Sequence, residues 1–462
     1  MGKSDIKKVL MNYVPQCFSK EGQEDLRVVA VLNDSCIGIS SSQFLRSAER
    51  GNPHATVTLD QAVHNLFVGA VHALQEPDCK LFCHVFDKSQ FVTQAKAPTQ
   101  LMRDNGKSGN NALDCATNRA LFAKFEQDNK RVDFDKGKWS NSVKVWKGMV
   151  DDRVCKRRLI KELCNRAVEL IPKWLQLANV PEDRHVVIDY DRGAVVGDMT
   201  DVNVAVLSSA GVDQDLDLVR EFNNMVGEFD VSHVHYLVSP RVRHLNTQQH
   251  PDEASAVTLV NSIDSDIFMI DMLNADKAGM PTELRVVSSI PASMSGDGEK
   301  CKILINPYEI AKWIKEALSP HVQDPCGDFC KVFALSGCDF VQSIPGVGTE
   351  AVVTRYLSWV MENQPDPKPI RFLESIVSNN IHKGVKNASV SKRARLCMEV
   401  DCTQRALRAD FVYEYWKNAA TPELVPSHLG MGYALNNGTH VFAEDLTKKT
   451  TPWGKQQKIK RF

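Results

Sequence analysis

The sequence lacks any run of about 18 consecutive apolar residues, so it offers no helix able to cross a membrane. Its opening, MGKSDIKKVL, has no apolar core of a secretory signal, and Ile6 stands where myristoylation after Met-Gly wants Ser or Thr. There is no Cys-x-x-Cys pair. The 13 cysteines have no repeating spacing, and Cys326 and Cys330 have no partner pair at zinc-finger distance. Structural zinc is therefore not expected, and reduced thiols in an intracellular compartment are. A strong charge of either sign is missing as well: 56 Lys and Arg against 57 Asp and Glu leave −1. Any nucleic-acid binding must then come from local basic patches. No internal repeat is present.

What is there is the material of a globular α/β protein. Hydrophobic content is 43% over 462 residues, enough for one large domain or about two to three ordinary ones. Three apolar, β-branched runs read as buried parallel strands, and each ends on a carboxylate: RVVAVLND (Asp34), KLFCHVFD (Asp87) and VTLVNSIDSD (Asp264, Asp266). Between the first two, Val63, Leu66, Phe67, Ala70, Val71 and Leu74 recur at helical spacing. Strand, helix and strand imply a right-handed crossover, with ligands gathered beyond the carboxyl ends of the strands. HVVIDYD is expected as a further strand and HVHYLVS as another, whereas the chain from about residue 305 onward reads as mostly helical.

An aspartate at the end of one strand is usually a helix N-cap. Three strands that do the same point elsewhere, because converging carboxylates are tolerated when hard divalent cations neutralise their repulsion. A pair of Mg²⁺ ions about 4 Å apart engages both the attacking and the leaving oxygen of a phosphodiester. Further on, LSGCDFVQSIPGVGTE places Gly346-Val347-Gly348 just before a helix, where unpaired amides suit a phosphate. The alternative is a tight turn between two helices.

These segments together resemble the flap endonuclease/xeroderma-pigmentosum-G family of structure-specific 5′ nucleases. MGKSDIKKVLMNYVPQCFS is similar to the family's opening, and RVVAVLNDS to its first metal-binding strand. LFCHVFDKSQ resembles its Val-Phe-Asp-Gly-Lys motif, with Lys88 where the family has Gly. SIDSDIFMI resembles its Asp-x-Asp strand, and LSGCDFVQSIPGVG its helix–two-turn–helix signature. The match covers roughly residues 1–103 and 250–360, in family order.

The resemblance implies a PIN-like α/β fold, with a mostly parallel central sheet, flanking helices and a following helical helix–two-turn–helix region. It implies Asp34, Asp87, Asp264, Asp266 and Asp339 as metal ligands for two Mg²⁺ ions, with Mn²⁺ as a substitute. The family has a Glu-x-Glu or Glu-x-Asp pair ahead of the Asp-x-Asp strand. Glu253 is the candidate for it, with Ser255 in the second position. Lys96 and Arg103, two turns apart, correspond to the family's cations at the scissile phosphate. Gly2, Ser343, Ile344, Gly346, Val347 and Gly348 would face DNA, the turn through a monovalent cation such as K⁺. Gln456, Ile459 and Phe462 resemble a peptide that docks on sliding clamps, without its second aromatic; the basic tail also reads as a nuclear-import signal.

The implied partner is branched or flapped DNA in replication or repair, and the implied location nuclear. The divisions expected are 1–103 and 251–320 for the nuclease, 104–250 as a divergent, arch-like insertion, 321–420 for DNA binding and 421–462 as a tail. Within 104–250, the basic stretch Lys136–Lys173, with Trp139, Trp146 and Trp174, reads either as an arch or as a solvated helix face over a core. Asp189 and Asp191 match nothing in the family and read as structural. A member of the family with reduced catalysis, acting as a binding factor, is the competing class.

Overall fold

The computed structural model describes residues 5–20, 26–45, 47–88, 140–151, 153–213, 215–223, 228–247, 255–290, 301–338, 340–341, 349–362, 368–369, 372, 402–419, 433–436 and 439–442. In chain order the strands are β1 (Phe18–Lys20), β2 (Arg27–Asp34), β3 (Thr56–Thr58), β4 (Leu81–Val85), β5 (Ser140–Ser142), β6 (His185–Val196), β7 (Met199–Ser208), β8 (Gly211–Val212), β9 (Ala256–Asn261), β10 (Leu284–Ile290), β11 (Cys301–Ile305), β12 (Tyr433–Asn436) and β13 (Thr439–Phe442). The first helices are α1 (Asp5–Tyr13), α2 (Ser35–Ser40), α3 (Ser47–Arg50), α4 (Leu59–Gln75), α5 (Val143–Asp151), α6 (Arg153–Leu177) and α7 (Leu216–Phe222). They are followed by α8 (Phe229–Leu237), α9 (Pro240–Thr247), α10 (Ser265–Asn274), α11 (Pro307–Leu318), α12 (Pro325–Ser336), α13 (Thr349–Met361) and α14 (Cys402–Lys417).

Nine strands form one sheet in the order β1-β11-β10-β9-β2-β4-β6-β7-β8. The middle five, β10-β9-β2-β4-β6, run parallel, and they include the three carboxylate-ended runs. At one end β11 pairs antiparallel with β10 and β1 with β11; at the other β7 pairs antiparallel with β6 and β8 with β7. The sheet is therefore mixed, not mostly parallel as expected. The reason is that β10 and β11 pair antiparallel, and that β6 returns directly through a turn into β7. In that turn Gly197 adopts φ +59°, which a side chain would strain.

Alternation along each central strand divides its side chains between two apolar layers. Val31, Phe82, Val186 and Ile188 face α4, α5 and α6. Ala30, Leu32, Cys83, Val85 and Val187 belong to the opposite core, with residues of α8, α10 and α12–α14. Helix α4 starts on a full capping box, in which Thr58 accepts from the Gln61 N–H while the Gln61 side chain accepts from the Thr58 N–H.

The described part of the basic stretch is the covering layer of the sheet. Leu159, Leu163, Ala167, Ile171 and Leu175 recur every fourth residue on α6 and are fully buried. Arg166 makes a two-pronged ion pair with Asp60, tying α6 to α4. Trp146 is buried and donates to the Val57 carbonyl at 3.1 Å, so it offers no ring for stacking. For residues 140–177 the packing is that of a helix face over a core, the second of the two readings; Trp139 lies outside the described residues. HVHYLVS, expected as a strand, is corrected, since it lies in α8 and the turn after it.

The described helices from α11 onward bury Phe329, Phe333, Tyr356, Phe411 and Trp416 in the same core as the sheet. Helix α12 ends on Gly337 at φ +127°, a conformation that side chains rarely adopt. Just after it, the Cys338 N–H donates to the Val341 carbonyl at 2.7 Å.

Candidate metal centre

Strands β9, β2 and β4 are parallel neighbours, so their carboxyl ends share one edge of the sheet. Asn33 pairs with Asn261 and Asp34 with Val85, which brings the three ends level. Adjacent strands lie about 4.8 Å apart, so side chains leaving this edge stand within about 10 Å of one another. Asp34, Asp87 and Asp264 leave it.

Asp34 occupies the N-cap position of α2, yet its side chain makes no capping hydrogen bond. Instead, Ser262 Oγ donates to Asp34 Oδ2 at 3.2 Å, while Oδ1 is enclosed without a hydrogen-bond partner. Burial holds the Asp34 carboxyl well above the usual carboxylate range, and the charges of Asp87, Asp230 and Asp264 push the same way. Asp264 does cap its helix, accepting from the Asp266 N–H at 3.3 Å, and its own N–H donates to Ser262 Oγ. Ser262 thus joins two of the acids.

One carboxylate oxygen from each of Asp230, Asp264 and Asp266 lies within 4.8 Å of the others. At an effective dielectric of about 20, each such pair of charges repels by about 3 kcal/mol. Asp266 is buried and sits in the first turn of α10; Asp230 is half-buried in the first turn of α8. The positive ends of two helix dipoles therefore support the acids. Asp87, exposed, accepts from the Phe229 N–H at 3.1 Å and so grips the start of α8 beside Asp230.

All these donors are hard oxygens, as Mg²⁺ or Mn²⁺ requires. Asp34, Asp87, Asp230, Asp264 and Asp266 fit such a cation, because an enclosed Asp34 oxygen with no hydrogen-bond partner belongs to a carboxyl under the like charges of Asp87, Asp230 and Asp264.

Two of the described cations near the cluster are tied down. Lys7 of α1 is buried; its ammonium donates to the Ile263 carbonyl at 3.0 Å and to Ser288 Oγ at 2.6 Å. Burial pushes its pKa down to about 8, against the pull of the Asp264 charge. Lys88 is fully buried, its ammonium 2.7 and 2.8 Å from the two oxygens of Asp189, and Tyr236 donates to Asp189 Oδ2 at 2.6 Å. This structural use of Asp189 explains why a lysine follows Asp87. Neighbouring side chains of an extended chain point opposite ways, so anchoring Lys88 inward turns Asp87 outward. Removing one partner of a buried pair strands the other charge. Lys88→Ala is therefore expected to cost about 3–5 kcal/mol in urea unfolding, and a loss under 1 kcal/mol would contradict this role.

Beneath the centre, His84 shares a 2.8 Å hydrogen bond with Ser35, while its Nε2 is buried without a hydrogen-bond partner. Burial pushes its pKa down to about 3. The unfolded chain takes up this proton near pH 6.5, so stability is lost as the pH falls from there towards 3. The expected slope for this group approaches about 1.4 kcal/mol per pH unit. His84→Phe should flatten that slope in urea unfolding between pH 6.5 and 4.5; an unchanged slope would show that His84 does not carry it.

Of the expected ligands, Asp34, Asp87, Asp264 and Asp266 come together. Asp339, Glu253, Lys96 and Arg103 lie outside the described residues, as do Gly2, Ser343, Ile344, Gly346, Val347, Gly348, Gln456, Ile459 and Phe462. Asp230 is an addition. Its signal in the sequence is Glu228-Phe229-Asp230, a Glu-x-Asp pair ahead of Asp264-Ser265-Asp266. Glu228 is buried at the N-cap of α8 and makes no side-chain capping bond. No family model matches the chain, and no curated protein matches it.

Proposed function

We propose that this protein is a divalent-metal-dependent phosphodiesterase that cuts flapped or branched nucleic acid. The observation that carries the reading is the mutual approach of Asp230, Asp264 and Asp266 beside the enclosed Asp34 carboxylate. Held by these residues and Asp87, divalent cations supply positive charge at the phosphoryl group. Asp34, Asp264 and Ser262 keep the acidic edge in one arrangement before substrate arrives, which removes reorganisation from the reaction. Lys7 holds the loop before Asp264 through the Ile263 carbonyl.

The resemblance to structure-specific 5′ nucleases supports the choice of substrate. On that reading Lys96 and Arg103 contact the scissile phosphate, the Gly346–Gly348 turn holds duplex DNA through a monovalent cation, and the C-terminal tail meets a sliding clamp. The test is cleavage of end-labelled flap, nicked, gapped and single-stranded substrates with Mg²⁺, Mn²⁺ or EDTA. Cutting that needs a divalent cation and favours flapped or nicked ends supports the proposal. Tight binding with no cutting in either metal points to a binding factor of reduced catalysis.

A further inference from the structure

Behind the acidic cluster lies a polar pair that the chemistry above does not use. His233 and Asp271 are both completely buried, with Nε2 of the imidazole 2.8 Å from Asp271 Oδ1. Nδ1 lies 3.1 Å from the Phe229 carbonyl oxygen, and the Phe229 ring stacks on the imidazole at 5.5 Å. A carbonyl oxygen only accepts, so Nδ1 carries hydrogen. Nε2 then either donates to an ionised Asp271 or accepts from a protonated one. Both forms keep one shared proton and one fixed separation.

The location gives the pair its meaning. His233 stands three residues after Asp230 on α8, and Asp271 stands five after Asp266 on α10. At 1.5 Å per residue, the cross-link sits about 4.5 Å along one helix and 7.5 Å along the other from the carboxylates they carry. It is a direct polar bond between these two helices, set among apolar packing by Val234, Phe268 and Met272. Burying such a pair adds little net stability over apolar side chains of the same volume. What it adds is direction and length, which packing alone does not define.

We infer that His233 and Asp271 are positioning residues that hold α8 and α10 at the spacing required for Asp230 to share a cation with Asp264 and Asp266. The inference rests on the metal-centre reading.

Calorimetric titration of the full chain with Mn²⁺ tests it. Asp271→Asn keeps the spacing: its amide N–H donates to Nε2 while Nδ1 still donates to Phe229, so affinity should stay within about threefold of wild type. The double change His233→Leu with Asp271→Leu removes both polar groups without stranding a charge. It should weaken Mn²⁺ at least about tenfold, while thermal unfolding in EDTA shifts by only a few degrees. If that protein does not fold, His233→Phe with Asp271→Leu, which keeps a ring at 233 and also lacks the polar cross-link, takes its place with the same expected weakening. Wild-type protein that binds Mn²⁺ alongside a folded variant that binds it equally well overturns the spacer alone. Wild-type protein that binds no Mn²⁺ overturns the metal centre and the spacer together.

Discussion

Asp264→Asn and Asp266→Asn are each expected to abolish cleavage while nucleic-acid binding stays nearly intact. Each change is isosteric and removes one negative charge from a site where oxygens of three acids lie within 4.8 Å. On the proposed reading, a cation held there would lose a ligand, and with it positive charge at the phosphoryl group. The loss amounts to several kcal/mol, or about 10³-fold in rate. Asp264→Asn retains an acceptor for the Asp266 N–H, so the start of α10 survives. Single-turnover rates at saturating Mg²⁺ check this. Near-wild-type turnover by either variant would remove these aspartates from the chemistry.

Asp34→Asn is expected to separate stability from activity. The Asp34 carboxyl is enclosed and surrounded by like charges, which holds its pKa well above the usual carboxylate range. With a raised folded-state pKa, metal-free stability falls as the pH rises past the ordinary carboxylate value near 4. The amide relieves that cost, so the variant in EDTA at neutral pH should melt a few degrees above wild type. It should also lose most cleavage, and Mn²⁺ should raise its melting temperature less than it raises that of wild type. A variant less stable than wild type in EDTA would mean that Ser262 and Asp34 serve as a structural hydrogen bond.

The strand-end aspartates were legible because β2, β4 and β9 are buried on both faces. Central parallel strands read as unbroken β-branched runs, and each such run stops where the carboxylate begins. The flanking strands were not legible in this way. β7, β10 and β11 mix polar residues with apolar ones, and their antiparallel pairing made the sheet mixed. Helix α8 misled for a different reason. Its alternation of His and apolar residues mimics a half-exposed strand, but both histidines are held by the fold: His233 by Asp271 and Phe229, His235 by the Glu221 carbonyl at 3.1 Å. A helix enclosed on nearly all sides shows no amphipathic period. In the basic stretch the helix-face reading was legible too, because the charges lie between the buried positions of α6, which repeat every four residues and close over the sheet.

The most direct test of the central claim is the rate of Mg²⁺-dependent cleavage of a 5′-flapped duplex by wild-type protein and by Asp230→Asn. The fold places Asp230 in the cluster, with one carboxylate oxygen within 4.8 Å of Asp264 and Asp266. The expected result is cutting by wild type that stops with EDTA, and a loss of about 10³-fold in Asp230→Asn with its fold intact. Cleavage at the wild-type rate by Asp230→Asn, or cleavage by wild type that persists in EDTA, would contradict it.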